Sequence, residues 1–170
     1  MNMSILTKKE ILKEIKKKNI IITPFDQSAL GPASMDLSLD NQFRVFTKGK
    51  TYDIKDNSDY KEITGLVKQD SVIIKPGEAI LGITKERITL SENLCGWLEG
   101  RSRFARLGLL VHISAGFMQP GIDNQQVLEI VNLGHRPLRL HAGTKICQFI
   151  FQTTKGKAKY TGKFKGQKEV

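Results

Sequence analysis

The sequence has only two cysteines and no apolar run near the roughly twenty residues that span a bilayer. Cys95 and Cys147 stand far apart, with no C-x-x-C and no regular spacing. Neither a disulfide framework nor a zinc ribbon is indicated, and both thiols read as small buried hydrophobes. The opening stretch MNMSILTKKEILKEIKKK lacks the uninterrupted apolar core of a secretory signal. A soluble cytoplasmic protein without membrane contact is therefore the expectation. Familiar catalytic signatures are missing as well: there is no G-x-S-x-G, no Walker loop, no H-E-x-x-H, and no H-x-E followed by P-C-x-x-C. The last absence excludes a zinc deaminase of the usual kind, so any hydrolytic water must be activated by something other than protein-bound zinc.

What is present is a chain of 170 residues, 39% apolar and 26% charged, enough for one globular domain with a sizeable core. Its formal charge of +10 raises nucleic acid as a partner, but the charge is unevenly placed. Residues 1–20 carry a net +4 and residues 155–170 a net +5, leaving +1 for everything between. Basic ends of this kind are either solvated and partly disordered, or a tail that closes over an anion. A nucleic-acid-binding barrel would rest on net charge alone, without the aromatic platform on which such barrels stack bases.

Thr7-Lys8-Lys9-Glu10 has the form of a capping box, with Leu6 placed to staple onto Ile11. A short helix is expected from Thr7 to near Asn19, with Ile11, Leu12 and Ile15 as its apolar stripe. Beyond it the hydrophobic period falls to two, with turn residues every eight to twelve positions. Strands are expected at 20–23, 34–39, 43–46, 71–74, 79–84, 95–98, 109–113, 126–132 and 145–152, with the polar stretch 47–69 a loop or an excursion with weak strands. Many short strands with even punctuation indicate a barrel or jelly-roll-like sandwich rather than a doubly wound sheet. Residues 1–154 read as a single domain and 155–170 as a flexible basic tail with no core of its own.

The densest functional cluster is Gly100-Arg101-Ser102-Arg103-Phe104-Ala105-Arg106-Leu107-Gly108, three guanidinium groups within six residues. They repel one another unless an anion neutralises them, and the planar donor fork of arginine suits phosphate oxygens. On a helical turn Ser102 and Arg106 share a face and can meet one ligand; the alternative is a solvated basic turn. Glu129, in Gln126-Val127-Leu128-Glu129-Ile130-Val131-Asn132, shares a face with Val127 and Val131, opposite Leu128 and Ile130. A carboxylate with apolar neighbours on both faces is expected to have a raised pKa suited to acid/base work, unless it blocks edge pairing or partners an arginine. Between these segments, His112 to Gly121 reads as a strand entering a tight turn, where the small Ala115 and Gly116 let a planar ligand approach the backbone. His112 itself reads as a structural histidine.

Taken together, the motifs resemble the dCTP deaminase family, the deaminating branch of the dUTPase-like superfamily. The resemblance rests on Pro32-Ala33-Ser34-Met35-Asp36-Leu37, Gly96-Trp97-Leu98-Glu99-Gly100-Arg101-Ser102, Ala105-Arg106-Leu107-Gly108-Leu109, Val127-Leu128-Glu129, Ile146-Cys147-Gln148 and Gly162-Lys163-Phe164-Lys165-Gly166-Gln167, spread over nearly the whole chain. It implies a mostly β, distorted barrel of the dUTPase-like type with a short N-terminal helix, assembled as a homotrimer with active sites between subunits. It further implies hydrolytic deamination of dCTP to dUTP and ammonia, with Mg2+ carried by the triphosphate rather than by protein ligands. By position, Glu129 would shuttle protons, and Ser102 and Arg106 would orient the water and stabilise developing charge. Arg101 and Arg103 lie in the triphosphate-binding segment, Ala115 presents backbone to the base, and Phe104, Ala105, Val127 and Leu128 are further implied substrate-binding residues. Gln148, Tyr160, Lys163 and Gln167 match positions that hold the triphosphate or close the site. Many relatives are inhibited by dTTP, which the resemblance therefore brings in as a candidate ligand.

Three positions depart from the family pattern: Arg103 replaces a second serine, Phe164 replaces a tyrosine, and Gln119 stands where many relatives carry aspartate. In dUTPases that aspartate activates the water that attacks the α-phosphate, and glutamine cannot act as a base. Gln119 can still hydrogen-bond a sugar hydroxyl, and Asp123, four residues on, is not expected to substitute. Deamination is thus the first expectation; a dUTPase or a bifunctional dCTP deaminase/dUTPase is the alternative. A regulator that has lost catalysis is disfavoured by the presence of Ser102, Arg106 and Glu129.

Overall fold

The computed structural model describes residues 4–170. Its helix α1 spans Lys8–Lys16 and packs Ile11 against the body, with Leu6 buried beside it. The capping box does not form, as the Thr7 side chain makes no cap hydrogen bond. A neighbouring chain segment takes one of the helix's first donors, the Lys8 N–H, which reaches the Pro32 carbonyl at 2.7 Å.

Eleven strands follow: β1 (Ile20–Thr23), β2 (Met35–Phe46), β3 (Thr64–Lys68), β4 (Ser71–Ile74), β5 (Ala79–Leu90), β6 (Leu94–Gly100), β7 (Leu109–Val111), β8 (Phe117–Met118), β9 (Asp123–Asn132), β10 (Leu138–His141) and β11 (Lys145–Thr153). Nine form one curled antiparallel sheet in the order β7-β9-β5-β2-β11-β6-β8, with β1 added on β5 and β3 on β2, while β4 and β10 pair separately. The mostly β class with one short leading helix is thus as expected.

Two expected strands, 34–39 and 43–46, are one. Asp40 and Asn41, which look like turn residues, sit at a register irregularity between Leu39 and Phe43, where the Asp40 carboxylate accepts from the Asn41 N–H at 2.8 Å. That irregularity lets a single strand bend and serve β11, β5 and β3 in turn. β5 bends likewise between Ile83 and Arg87 to reach β9 and β1. β3 falls in the 47–69 stretch, where weak strands are one of the two expectations. Two short strands, β8 and β10, are additional to those expected; β8 has two residues and β10 buries only one side chain, Leu140, too little for alternation to register.

Met35, Leu37, Leu39, Phe43, Leu98, Leu128, Ile130, Phe149 and Phe151 are buried together in one core cluster. Phe149 and Phe151 stack at 4.6 Å between ring centroids. Both cysteines are buried and unpaired, and burial pushes the Cys147 thiol far above its ordinary range. Gly96 lets β6 approach β11 closely: a β-carbon there would meet the Phe149 ring and lie 2.5 Å from the Ile150 carbonyl. No described helix is long and apolar enough to cross a membrane.

Candidate active site

The predicted residues fall in two places. The first is a cavity of about 440 Å3, within the usual size of small-molecule clefts. Glu129 and Val127 from β9 and Ala115 and Gln119 from the loop around β8 line it, and Tyr160, Phe164 and Gln167 of the tail stand at its rim. Strand alternation explains β9's part: Leu128 and Ile130 are fully buried in the core, so Val127 and Glu129 face the cavity. Leu128 is the correction here, since its side chain belongs to the core and only its backbone can approach a ligand.

Glu129 is the only carboxylate among the described lining residues, and its neighbour is the histidine expected to be merely structural. Positive φ at His112 (53°) ends β7 and turns the imidazole toward β9, while the His112 backbone N–H donates to the Glu129 carbonyl at 2.7 Å. Nδ1 of His112 lies 2.8 Å from Oε2 of Glu129, off the line of a straight hydrogen bond, and neither atom has another partner among the described residues. Nε2 of the same ring lies 3.1 Å from the Ala115 carbonyl. Glu129 also departs from expectation. Burial pushes its carboxyl up, but the His112 contact and charge outweigh this and hold it below the ordinary glutamate value. The sequence shows the apolar neighbours of Glu129; it does not show the long-range pairing of β7 on β9 that delivers the counter-charge.

Gln119 is exposed and makes no hydrogen bond among the described residues, so its carboxamide is free to meet a ligand. Asp123 is committed elsewhere: Arg87 grips both its oxygens at 2.7 and 2.6 Å, and Thr89 adds a third bond at 2.6 Å. The Arg87 contact holds the Asp123 carboxyl below its usual value. It is a strand-to-strand tie, not a spare base.

Further lining residues were not expected from the sequence: Asn124 and Gln126 are buried polar side chains on β9, and Tyr60 and Phe46 come from the β2 and β3 region. The Asn124 carboxamide oxygen accepts from the Gly166 N–H at 2.8 Å, the Gln125 N–H donates to the Gln167 carbonyl at 3.0 Å, and Val170 is buried against Leu81 and Ile83. These contacts lay the tail along the cavity mouth. Beside it a groove of about 290 Å3 carries Lys61, Lys163, Lys165 and Lys168, sharing Tyr60, Phe164 and Gln167 with the cavity. Lys163 itself lies in this groove rather than in the cavity.

The second place is helix α2 (Ser102–Ala105), one turn long, where Arg106 N–H donates to the Ser102 carbonyl at 3.1 Å and confirms the i,i+4 relation. Ser102, Arg103, Ala105 and Arg106 are exposed, and no partner is recorded for the three polar side chains among the described residues. Phe104 instead packs on the core. Arg101 is not free: it pairs with Asp36 at 2.8 Å and donates to the Lys145 carbonyl at 2.7 Å, which fixes the entry to α2. Gln148 braces the same junction, accepting from Ser34 at 2.9 Å. None of the α2 residues, nor Gln148, lines the Glu129 cavity. Within one chain the two groups of expected site residues remain apart.

Among the described residues no group of three His, Cys, Asp or Glu side chains is placed to hold a metal ion. The cavity's one carboxylate is occupied by an imidazole.

Known proteins place this arrangement. A relative from Nocardioides sp., named dCTP deaminase, dUMP-forming, is 36% identical over 96% of this chain and 91% of its own length. A protein of the same name from Corynebacterium glutamicum is 36% identical over 96% of this chain and 92% of its own. One from Mycolicibacterium vanbaalenii reaches 40% over 85% and 77%. Among solved structures, a 2'-deoxycytidine 5'-triphosphate deaminase from Agrobacterium tumefaciens superposes with a TM-score of 0.69 at 17% identity over 90% of this chain. The chain spans about half the length of that protein, and the likeness shows the shared fold. The dCTP deaminase-like family model matches residues 5–154, and this chain belongs to that family.

Proposed function

We propose that the protein hydrolyses the 4-amino group of dCTP, releasing ammonia and dUTP, without protein-bound zinc. The observation that carries this reading is Glu129, the one carboxylate among the described cavity residues, held 2.8 Å from His112 beside a backbone carbonyl that can meet a base edge. Water placed over C4 of the cytosine ring gives a proton to Glu129 and its oxygen to C4. Glu129 returns the proton to the ring nitrogen N3. Glu129 then takes the proton of the new C4 hydroxyl and gives it to the amino group, which leaves as ammonia as the C4–N bond breaks and the C4 carbonyl forms. The Ala115 carbonyl has two lone pairs, so one can accept from the 4-amino group while the other faces His112.

The triphosphate, with Mg2+ bound to its own oxygens, is assigned to cationic groups outside the cavity: the lysine groove beside the tail, and Ser102, Arg103 and Arg106. Because the α2 side chains are exposed, unpartnered and absent from the cavity of their own chain, a second copy would have to present them. This supports the homotrimer with intersubunit sites that the family resemblance implies. dTTP would enter the same site as an inhibitor.

A second reading, release of dUMP and pyrophosphate, is favoured by the names of the relatives that cover most of the chain. Against it stands Gln119, an amide with no basic function, and the engagement of Asp123 by Arg87. Incubation with dCTP and Mg2+, with ammonia, dUTP, dUMP and pyrophosphate resolved, decides. Ammonia with accumulating dUTP is the expected result. Ammonia with dUMP and pyrophosphate establishes the second reading, and no ammonia overturns both.

A further inference from the structure

We infer that His112 is a positioning residue for the reaction: it holds one oxygen of Glu129 and the Ala115 carbonyl with opposite edges of a single imidazole ring. The inference deepens the proposed deamination and rests on it. The Ala115 carbonyl can only accept, so Nε2, 3.1 Å away, carries a hydrogen. Nδ1 and Oε2 approach to 2.8 Å with no other partner for either, a distance at which two bare lone pairs repel. The pair therefore holds one proton, on Nδ1 or on Oε2, although the contact is not a straight hydrogen bond.

Three consequences follow from that proton. Oε2 is covered, which leaves Oε1 as the one oxygen able to take a proton from water. The pair is neutral as a whole, so a carboxylate survives on a largely apolar wall without an exposed counter-ion. And because the same ring touches the Ala115 carbonyl, the base-facing carbonyl and the proton acceptor move as one unit. Among the described residues lining the cavity there is no alternative counter-charge. Leu81 is the β5 residue opposite Glu129, and the other titratable groups lining the cavity among the described residues are the phenols of Tyr60 and Tyr160.

The backbone at His112 selects the test. Its φ of 53° lies in the left-handed region, which glycine and asparagine tolerate and alanine does not. His112→Gly removes the ring without backbone strain, and His112→Asn keeps a neutral N–H donor near the place of Nδ1. For wild type and both variants, ammonia release from dCTP is followed across pH, and the Glu129 carboxyl is titrated by 13C NMR with its signal assigned from Glu129→Gln. The acid limb of kcat and the carboxyl midpoint should move together to higher pH, by about one pH unit in His112→Gly and less in His112→Asn. A uniform loss of rate with limb and midpoint unmoved would reduce His112 to a structural role. The carboxyl titration reads the contact even in a variant too slow to assay. Absence of ammonia from the wild type would sink the deamination reading instead, with the titration still deciding whether the contact exists.

Discussion

Replacing Glu129 by glutamine changes one atom and removes the base. The side chain is half-buried and held at 2.8 Å by His112, and a glutamine oxygen can still accept from that imidazole, so the fold and the cavity shape should persist. With 41% of the carboxylate side chain exposed, the lost ion pair is screened and should cost below about 1 kcal/mol of stability. Chemistry should suffer far more. A positioned acid/base contributes roughly 10²–10⁴-fold, and Glu129 is asked both to accept a proton from water and to deliver protons to N3 and the leaving ammonia. The upper end, about 10⁴-fold in kcat, corresponds to about 5.4 kcal/mol of barrier. Ammonia release under single-turnover conditions measures that loss, and calorimetric titration with dCTP measures binding, which should change by less than about threefold. A variant turning over within tenfold of wild type would refute the assignment. A large loss of affinity with little change in kcat would make Glu129 a binding group instead.

Gln119→Asp places a carboxylate on an exposed, unbonded position of the cavity rim. Pyrophosphate release from dUTP should rise by about 10²-fold or more while ammonia release changes little; a wild type that already cleaves dUTP as fast as it deaminates dCTP would contradict the role given to Gln119. Glu86 is buried with the Ser38 N–H at 2.8 Å, and burial raises its carboxyl above the ordinary value. Its folded form is thus most stable when protonated, and that contribution is lost as pH rises through its folded-state pKa. Glu86→Gln should raise Tm at neutral pH, and the gain should vanish in acid; a lower Tm at pH 7 would show the carboxylate to be needed. Gly96→Ala should destabilise by about 3 kcal/mol, because its β-carbon would lie 2.5 Å from the Ile150 carbonyl and against the Phe149 ring. That corresponds to a fall in Tm of roughly 6–12 °C, and an unchanged Tm would mean that β6 and β11 have slack at this point.

How much of this was legible in the chain differs from residue to residue. The face of Glu129 was legible, because a period of two over Val127 to Val131 assigns it without reference to any partner strand. The helical relation of Ser102 to Arg106 was legible for the same local reason. His112 was not, since its role depends on β7 lying against β9, a pairing between segments separated by the β8 loop. Arg101 shows the converse: a guanidinium in a basic cluster looks free for phosphate, yet Asp36, distant in sequence, occupies it. The capping box at Thr7 is present in the sequence, but the Thr7 side chain makes no cap hydrogen bond. Local periodicity located the functional groups, and long-range contacts decided which of them remained available.

That the Glu129 cavity receives the cytosine ring is tested most directly by the structure of Glu129→Gln bound to dCTP and Mg2+. The 4-amino end of the base should lie between residue 129 and the Ala115 carbonyl, with the triphosphate reaching outward to the tail lysines and to Ser102 and Arg106 of a neighbouring copy. A base bound elsewhere, with this cavity holding only solvent, would contradict the assignment.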